Sequence, residues 1–128
     1  MSLVDVERLR EMAEVECADI VAEAFVPDVN ELRVILTDGS FVDIWFSLQL
    51  VGRYSYHWER RAVDGTIYRH DHAPHKRWQS VTTFPKHFHN ASETHVLESH
   101  LSDVPEDALR ELLTFVRARI GTPPESSQ

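Results

Sequence analysis

The chain has 128 residues, a formal net charge of -8, 42% hydrophobic and 27% charged residues, a composition that excludes disorder and collagen-like repeats. Cys17 is the sole cysteine, which excludes an internal disulfide and a multi-cysteine zinc site and suits a small core residue. The length predicts a single domain over 1–122 with a flexible tail over 123–128, and short apolar runs behind an acidic start predict a cytoplasmic protein with no membrane partner.

Val6, Leu9, Ala13, Cys17, Ile20 and Ala24 recur at steps of three and four, so an amphipathic helix is expected from about Val4 to Ala24, ended by Pro27. Leu32–Thr37 and Phe41–Phe46 are rich in β-branched and aromatic residues around Asp38-Gly39, the signature of a hairpin whose turn needs positive φ. Tyr54, Tyr56 and Trp58 alternate with Arg53, Ser55, His57 and Glu59. That period of two predicts a strand with one aromatic and one polar face. Val63-Asp64-Gly65 turns the chain, and Thr66–His72 returns as a fourth strand of an antiparallel meander.

Beyond His72 the period breaks between Pro74 and Pro85. A long loop is expected there, with room for one short strand and carrying His75, His87 and His89; loops of this length commonly bind or react. Ser102-Asp103-Val104-Pro105-Glu106 then opens a helix, with Asp103 as the expected cap and Pro105 in the first turn. Leu109, Leu112, Leu113, Val116 and Ile120 form its apolar stripe, and Gly121 ends it. The fold class read from this order is α+β: an antiparallel sheet of four or more strands with N- and C-terminal helices on one face and the histidine loop at the other. Edge strands and aromatic residues leave a homodimer open.

The charge is unevenly spread. From Arg53 to His100, seven Lys and Arg face five acids, a balance of +2, while the remainder carries -10. All eight histidines lie in that middle segment, so chemistry is sought there. RNA cleavage needs a base for the 2′-hydroxyl, an acid for the leaving 5′ oxygen and a cation for the phosphorane. His57, His75, His87 and His89 are the proton-transfer candidates, and Arg53, Arg69 and Lys86 the phosphate contacts, with no cofactor required. Tyr54, Tyr56, Trp58, Tyr68 and Trp78 are able to stack a base, although core packing is favoured for Tyr54, Tyr56 and Trp58. The alternative is a metal site: on a strand His70 and His72 share a face, and with His87 and His89 they make two His-x-His pairs suited to a divalent transition metal such as Zn. No Gly-rich phosphate loop and no Gly-x-Ser-x-Gly elbow occurs.

Arg53-Tyr-Ser-Tyr-His-Trp58, then Gly65 and Arg69-His-Asp-His-Ala-Pro-His75, then Thr83-Phe-Pro-Lys-His-Phe-His89 resemble the TumE-type family of small prokaryotic toxins. That family shows a Tyr-x-Tyr-His strand, an Arg-x-Asp-Asn-Ala-Pro-His-His element and a Phe-Pro-His-His-x-His element in the same order. His72 stands where the family has Asn, Lys76 where it has the second His, and Lys86 where it has the first His of the later block. Tyr56, His57, Arg69, Asp71, His75, His87 and His89 fall on matching positions and carry over as functional or motif-defining, with Tyr56, Asp71 and Lys86 joining Arg53 and Arg69 as substrate-binding candidates. The resemblance implies a toxin neutralised by a cognate antitoxin, commonly a helix-turn-helix regulator. An endoribonuclease acting on RNA follows by analogy with other small toxins; the competing reading is a non-enzymatic His-rich module that binds a metal or a protein.

Overall fold

The structure, a computed structural model, describes residues 3–120. Seven antiparallel strands follow one another in chain order as a meander, β1-β2-β3-β4-β5-β6-β7. They are β1 (Val21–Asp28), β2 (Glu31–Leu36), β3 (Phe41–Phe46), β4 (Tyr54–Arg60), β5 (Thr66–His72), β6 (Lys86–Ala91) and β7 (Val96–Glu98). Helices α1 (Val6–Glu16) and α3 (Pro105–Ile120) bracket the sheet in sequence, and a single helical turn, α2 (Arg61–Asp64), joins β4 to β5. The α+β class and the antiparallel sheet of four or more strands are therefore as expected, and β2 to β5 are the four strands located from the sequence.

Registers show which side chains share a face. Ala24, Val34, Val42, Trp58 and Tyr68 are successive cross-strand partners, and Leu32, Ile44, Tyr56, His70 and Phe88 form the next row. These rows meet the helices: Val6, Leu9, Met12 and Ala13 from α1 and Leu109, Leu112, Leu113 and Val116 from α3 join Leu32, Val34, Val42, Ile44, Tyr56 and Trp58 in one buried core. Phe115 of α3 meets Trp58, Tyr68 and Phe88 edge-on, with ring centroids 5.1–6.1 Å apart. Burying side chains of this size is the main source of folding free energy, at ~1.5–3 kcal/mol each. Cys17 is buried among them.

Three local expectations need correction. The first helix stops at Glu16, where the Cys17 N–H closes the last turn on the Ala13 carbonyl, and Val21–Asp28 is an edge strand rather than helix. Ile20 and Ala24 are buried as the helical spacing required, but a strand meets the same positions, and Val21, Phe25 and Val26 favour it. Pro27 is tolerated because an edge strand needs no ladder hydrogen bond there. The second correction concerns His87 and His89, which lie on strand β6 and not in a loop; the irregular connection shrinks to 73–85, interrupted by a 3-10 turn at Lys76–Trp78. Third, Asp103 does not cap α3: its carboxylate accepts from the Tyr54 hydroxyl at 2.9 Å and faces Lys86 Nζ at 3.3 Å. The turn expected at Val63-Asp64-Gly65 is present as the end of α2, with Gly65 at φ 82° as its C-cap.

The Asp38-Gly39 hairpin is present between β2 and β3, with Gly39 at φ 91°. The expected end of α3 at Gly121 and the tail over 123–128 lie outside the described residues. Among those described, no helix is long and apolar enough to cross a membrane.

Candidate active site on the outer face of the sheet

Because side chains alternate along a strand, every second residue of β4, β5 and β6 points away from the helices. Arg69 is the register partner of both His57 and His89, while Asp71 is the partner of Ser55 and His87. Five of the candidates read from the sequence, His57, Arg69, Asp71, His87 and His89, thus meet on the outer face. A chain of polar contacts joins them. Arg69 donates Nε to Asp71 Oδ2 at 2.8 Å and one terminal nitrogen to His57 Nδ1 at 3.3 Å, and it pairs with Glu93 beyond β6. Since a guanidinium only donates, His57 Nδ1 accepts, which leaves its Nε2–H to donate to Glu59 Oε1 at 3.1 Å.

His87 and His89 are nearly sealed, with 1% and 4% exposure. Each gives Nδ1–H to a main-chain carbonyl: His87 to Pro85 at 3.2 Å and His89 to Glu93 at 2.9 Å. Their Nε2 atoms both lie 3.5 Å from Asp71 Oδ2, and His87 Nε2 is buried without a hydrogen-bond partner. The connection after β5 folds over this floor. His75 meets the His87 ring at 5.8 Å, and Trp78 covers both imidazoles at 6.2 and 5.9 Å. Arg69, Asp71, His75, Arg77, Trp78, His89 and Glu93 enclose a cavity of about 310 Å³ open to solvent.

The electrostatics follow from this packing. Burial alone would raise the Asp71 pKa, yet the His87 and His89 rings that face it and the hydrogen-bonded Arg69 guanidinium outweigh burial and hold the carboxyl far below the usual range. Arg69 is likewise disfavoured by burial, but Glu93 and Asp71 keep its guanidinium firmly charged. Glu93 is lowered in turn, chiefly by its hydrogen bond from Arg69.

Other candidates fall elsewhere. His70 and His72 point to the helix face: His70 stacks on Phe88 at 4.3 Å and bonds Ser99 Oγ at 2.8 Å, and burial pushes its pKa down to about 4. His72 packs on Tyr54 at 5.3 Å. The four-histidine metal set His70, His72, His87 and His89 is therefore split by the sheet and cannot close around one ion. His57 does not face His70 and His72 either, because its register partner is Arg69. Tyr56 is 1% exposed beneath Phe46 and Tyr54, out of reach of a substrate. Lys86 donates Nζ to the Leu101 carbonyl at 2.6 Å on the helix face. Arg53 lines a separate, larger cavity of about 530 Å³ with Tyr54, His72 and Asp103; apolar side chains such as Leu3, Val29 and Leu48 dominate it, and it holds none of the clustered imidazoles.

The sequence reading missed Glu93 as the partner of Arg69. It lies four residues past His89, in the turn after Ala91 (φ 71°), and it becomes visible only once β6 and β7 are recognised as a hairpin. The cluster is shared by three strands whose residues come from all three sequence blocks that suggested a toxin. No curated protein and no solved structure matches the chain significantly. The profile of the family described as Toxin TumE, however, matches residues 5–120, spanning the sheet, both helices and the whole cluster; the chain belongs to that family and is a toxin component of a toxin–antitoxin system, with a cognate antitoxin as its partner.

Proposed function

We propose that this toxin cleaves RNA at the outer-face cavity. The observation that carries the reading is the meeting of imidazoles, a guanidinium and a carboxylate from β4, β5 and β6 beneath a cationic, aromatic connection, Lys76-Arg77-Trp78. An acidic chain attracts RNA only where its own positive charge is concentrated; Arg69 and Arg77 line this cavity, and Arg61 reaches its rim at Glu93. Arg77 lies 4.8 Å over the Trp78 ring, a stacked pair able to take a splayed base and its phosphate.

Within the site, His57 and His75 are the imidazoles that solvent reaches, and they are the proton carriers of the proposal. A phosphate that draws Arg69 toward it loosens the contact to His57 Nδ1, freeing that nitrogen to take the 2′-hydroxyl proton; the oxygen then attacks phosphorus and displaces the 5′ oxygen, which His75 protonates. Arg69 and Arg77 steady the charge that develops on the phosphorane. Such a toxin acts in the cytoplasm, where its RNA is, and a helix-turn-helix antitoxin encoded beside it fits the family's habit.

The test combines growth and RNA. Induction of the wild-type chain should arrest growth, and purified toxin should leave fragments ending in 2′,3′-cyclic phosphate, with Arg69→Gln and His57→Gln each slowing cleavage by about 100-fold. Growth arrest with intact RNA, or arrest and cleavage undiminished in both folded variants, overturns the reading.

A further inference from the structure

The geometry points to a binding site for one divalent transition-metal ion of the zinc class, formed by Asp71, His87 and His89. It goes beyond the RNA reading and does not depend on it.

With both rings neutral, three acceptors face one another here with no hydrogen between them. Donation of Nδ1–H to the Pro85 and Glu93 carbonyls leaves the Nε2 lone pair of each neutral ring directed at Asp71 Oδ2. Both separations are 3.5 Å, beyond a good hydrogen bond. Ligand atoms 2.0–2.1 Å from a tetrahedral ion lie about 3.4 Å apart, so the spacing is that of an edge of a coordination polyhedron. One imidazole nitrogen from each histidine and one carboxylate oxygen all fall within 4.8 Å of each other. His87 Nε2, sealed and unpartnered, is costly as a neutral acceptor facing a carboxylate; a cation between them removes that cost.

The surroundings fit as well. Histidine ligands typically anchor their second nitrogen on a carbonyl, and ligating carboxylates are themselves hydrogen-bonded. Pro85, Glu93 and Arg69 Nε supply those supports. Glu93 offsets the Arg69 charge that would otherwise repel an ion. Two imidazoles and one carboxylate suit zinc, cobalt, nickel or iron rather than magnesium or calcium, which take oxygen donors. Three protein ligands leave a position open, on the side of the solvent-open cavity lined by His89 and Asp71. The rival arrangement is two imidazolium rings sharing their protons with Asp71.

Full-length toxin stripped with a chelator and titrated with Zn2+ by calorimetry decides between them. The expected result is uptake of one ion per chain with a rise in thermal midpoint, and tetrahedral or five-coordinate absorption bands with Co2+. Asp71→Asn and His89→Ala should each weaken uptake by at least about tenfold, whereas His70→Ala, on the opposite face, should not. Circular dichroism of the metal-free variants checks folding. Should both fail to fold, nitrogen-15 NMR of the wild type replaces them: Zn2+ must shift the Nε2 resonances of His87 and His89 while Nδ1 stays protonated. No Zn2+ uptake by the wild type, uptake undiminished in folded Asp71→Asn and His89→Ala, or unshifted Nε2 resonances overturns the site. Because none of these measurements uses RNA, the proposed cleavage stands or falls separately.

Discussion

Ser40 shows how much one small polar side chain holds. Its hydroxyl accepts the indole N–H of Trp58 at 2.9 Å in the core, while its own proton goes to Asp38 at 2.6 Å. Ser40→Ala leaves a buried indole N–H without a partner, so a loss of about 1–3 kcal/mol in urea denaturation is expected. Asp38 also accepts from Arg60 at 3.0 Å. Burial works to raise its pKa, but the bonds from Ser40 and Arg60 override that and lower it. A carboxyl lowered by folding stabilises fully above its unfolded pKa, near 4, and loses that contribution as pH falls through the folded value. The stability gap between wild type and Asp38→Asn, measured from pH 7 to pH 3, should therefore narrow toward acid; a constant gap would show that the carboxylate charge contributes nothing. Residue types were legible at this scale: His57, Arg69, Asp71, His87 and His89 are all named by the sequence. The alternation along β4 already set Tyr56 apart from His57, but the separation of Lys86 was not legible, because a motif records which residues recur and not which face each one occupies.

At the scale of elements, ambiguity arose where two periods fit the same residues. Ile20 and Ala24 continue a helical stripe, yet they are also buried positions around an edge strand, and only the cross-strand pairs Glu23–Ile35, Ala24–Val34 and Phe25–Arg33 decide between them. Strand β6 was hidden for a different reason. Lys86, Asn90 and Ala91 have low strand propensity, and the strand is held by its outer histidines bonding main-chain carbonyls while Phe88 packs inward. Where chemistry of the turn was unambiguous, the reading succeeded, as at Asp38-Gly39. Gly39 at φ 91° has nothing within 4 Å of an added Cβ, so Gly39→Ala should lose about 1–2 kcal/mol through backbone strain alone. Thermal melts check this; an unchanged midpoint would mean that the hairpin relaxes to another turn.

Across the whole molecule, a sheet one layer thick couples the two faces. Tyr68, His70 and Phe88 carry the helix-side packing of β5 and β6, and the residues between them, Arg69, Asp71, His87 and His89, carry the site. Phe115 of α3 supports Tyr68 and Phe88 from below. α3 is in turn tied to the start of the chain by Arg117 on Asp19 at 2.8 Å and Arg110 on Glu16 at 2.9 Å, though such exposed pairs add little to stability. Phe115→Ala removes a partly buried ring and should lose about 2 kcal/mol, a large share of a typical 5–15 kcal/mol. It should also weaken toxicity through the floor of the site. Arg69→Gln, on the other face, should abolish toxicity while leaving the α3 packing intact. The two routes to an inactive toxin separate experimentally: Phe115→Ala lowers the thermal midpoint and regains toxicity when growth is tested at lower temperature, whereas Arg69→Gln stays inactive at every temperature. If cooling restores neither variant, Phe115 acts on the site by more than stability; if it restores both, Arg69 serves the fold and the outer-face assignment fails.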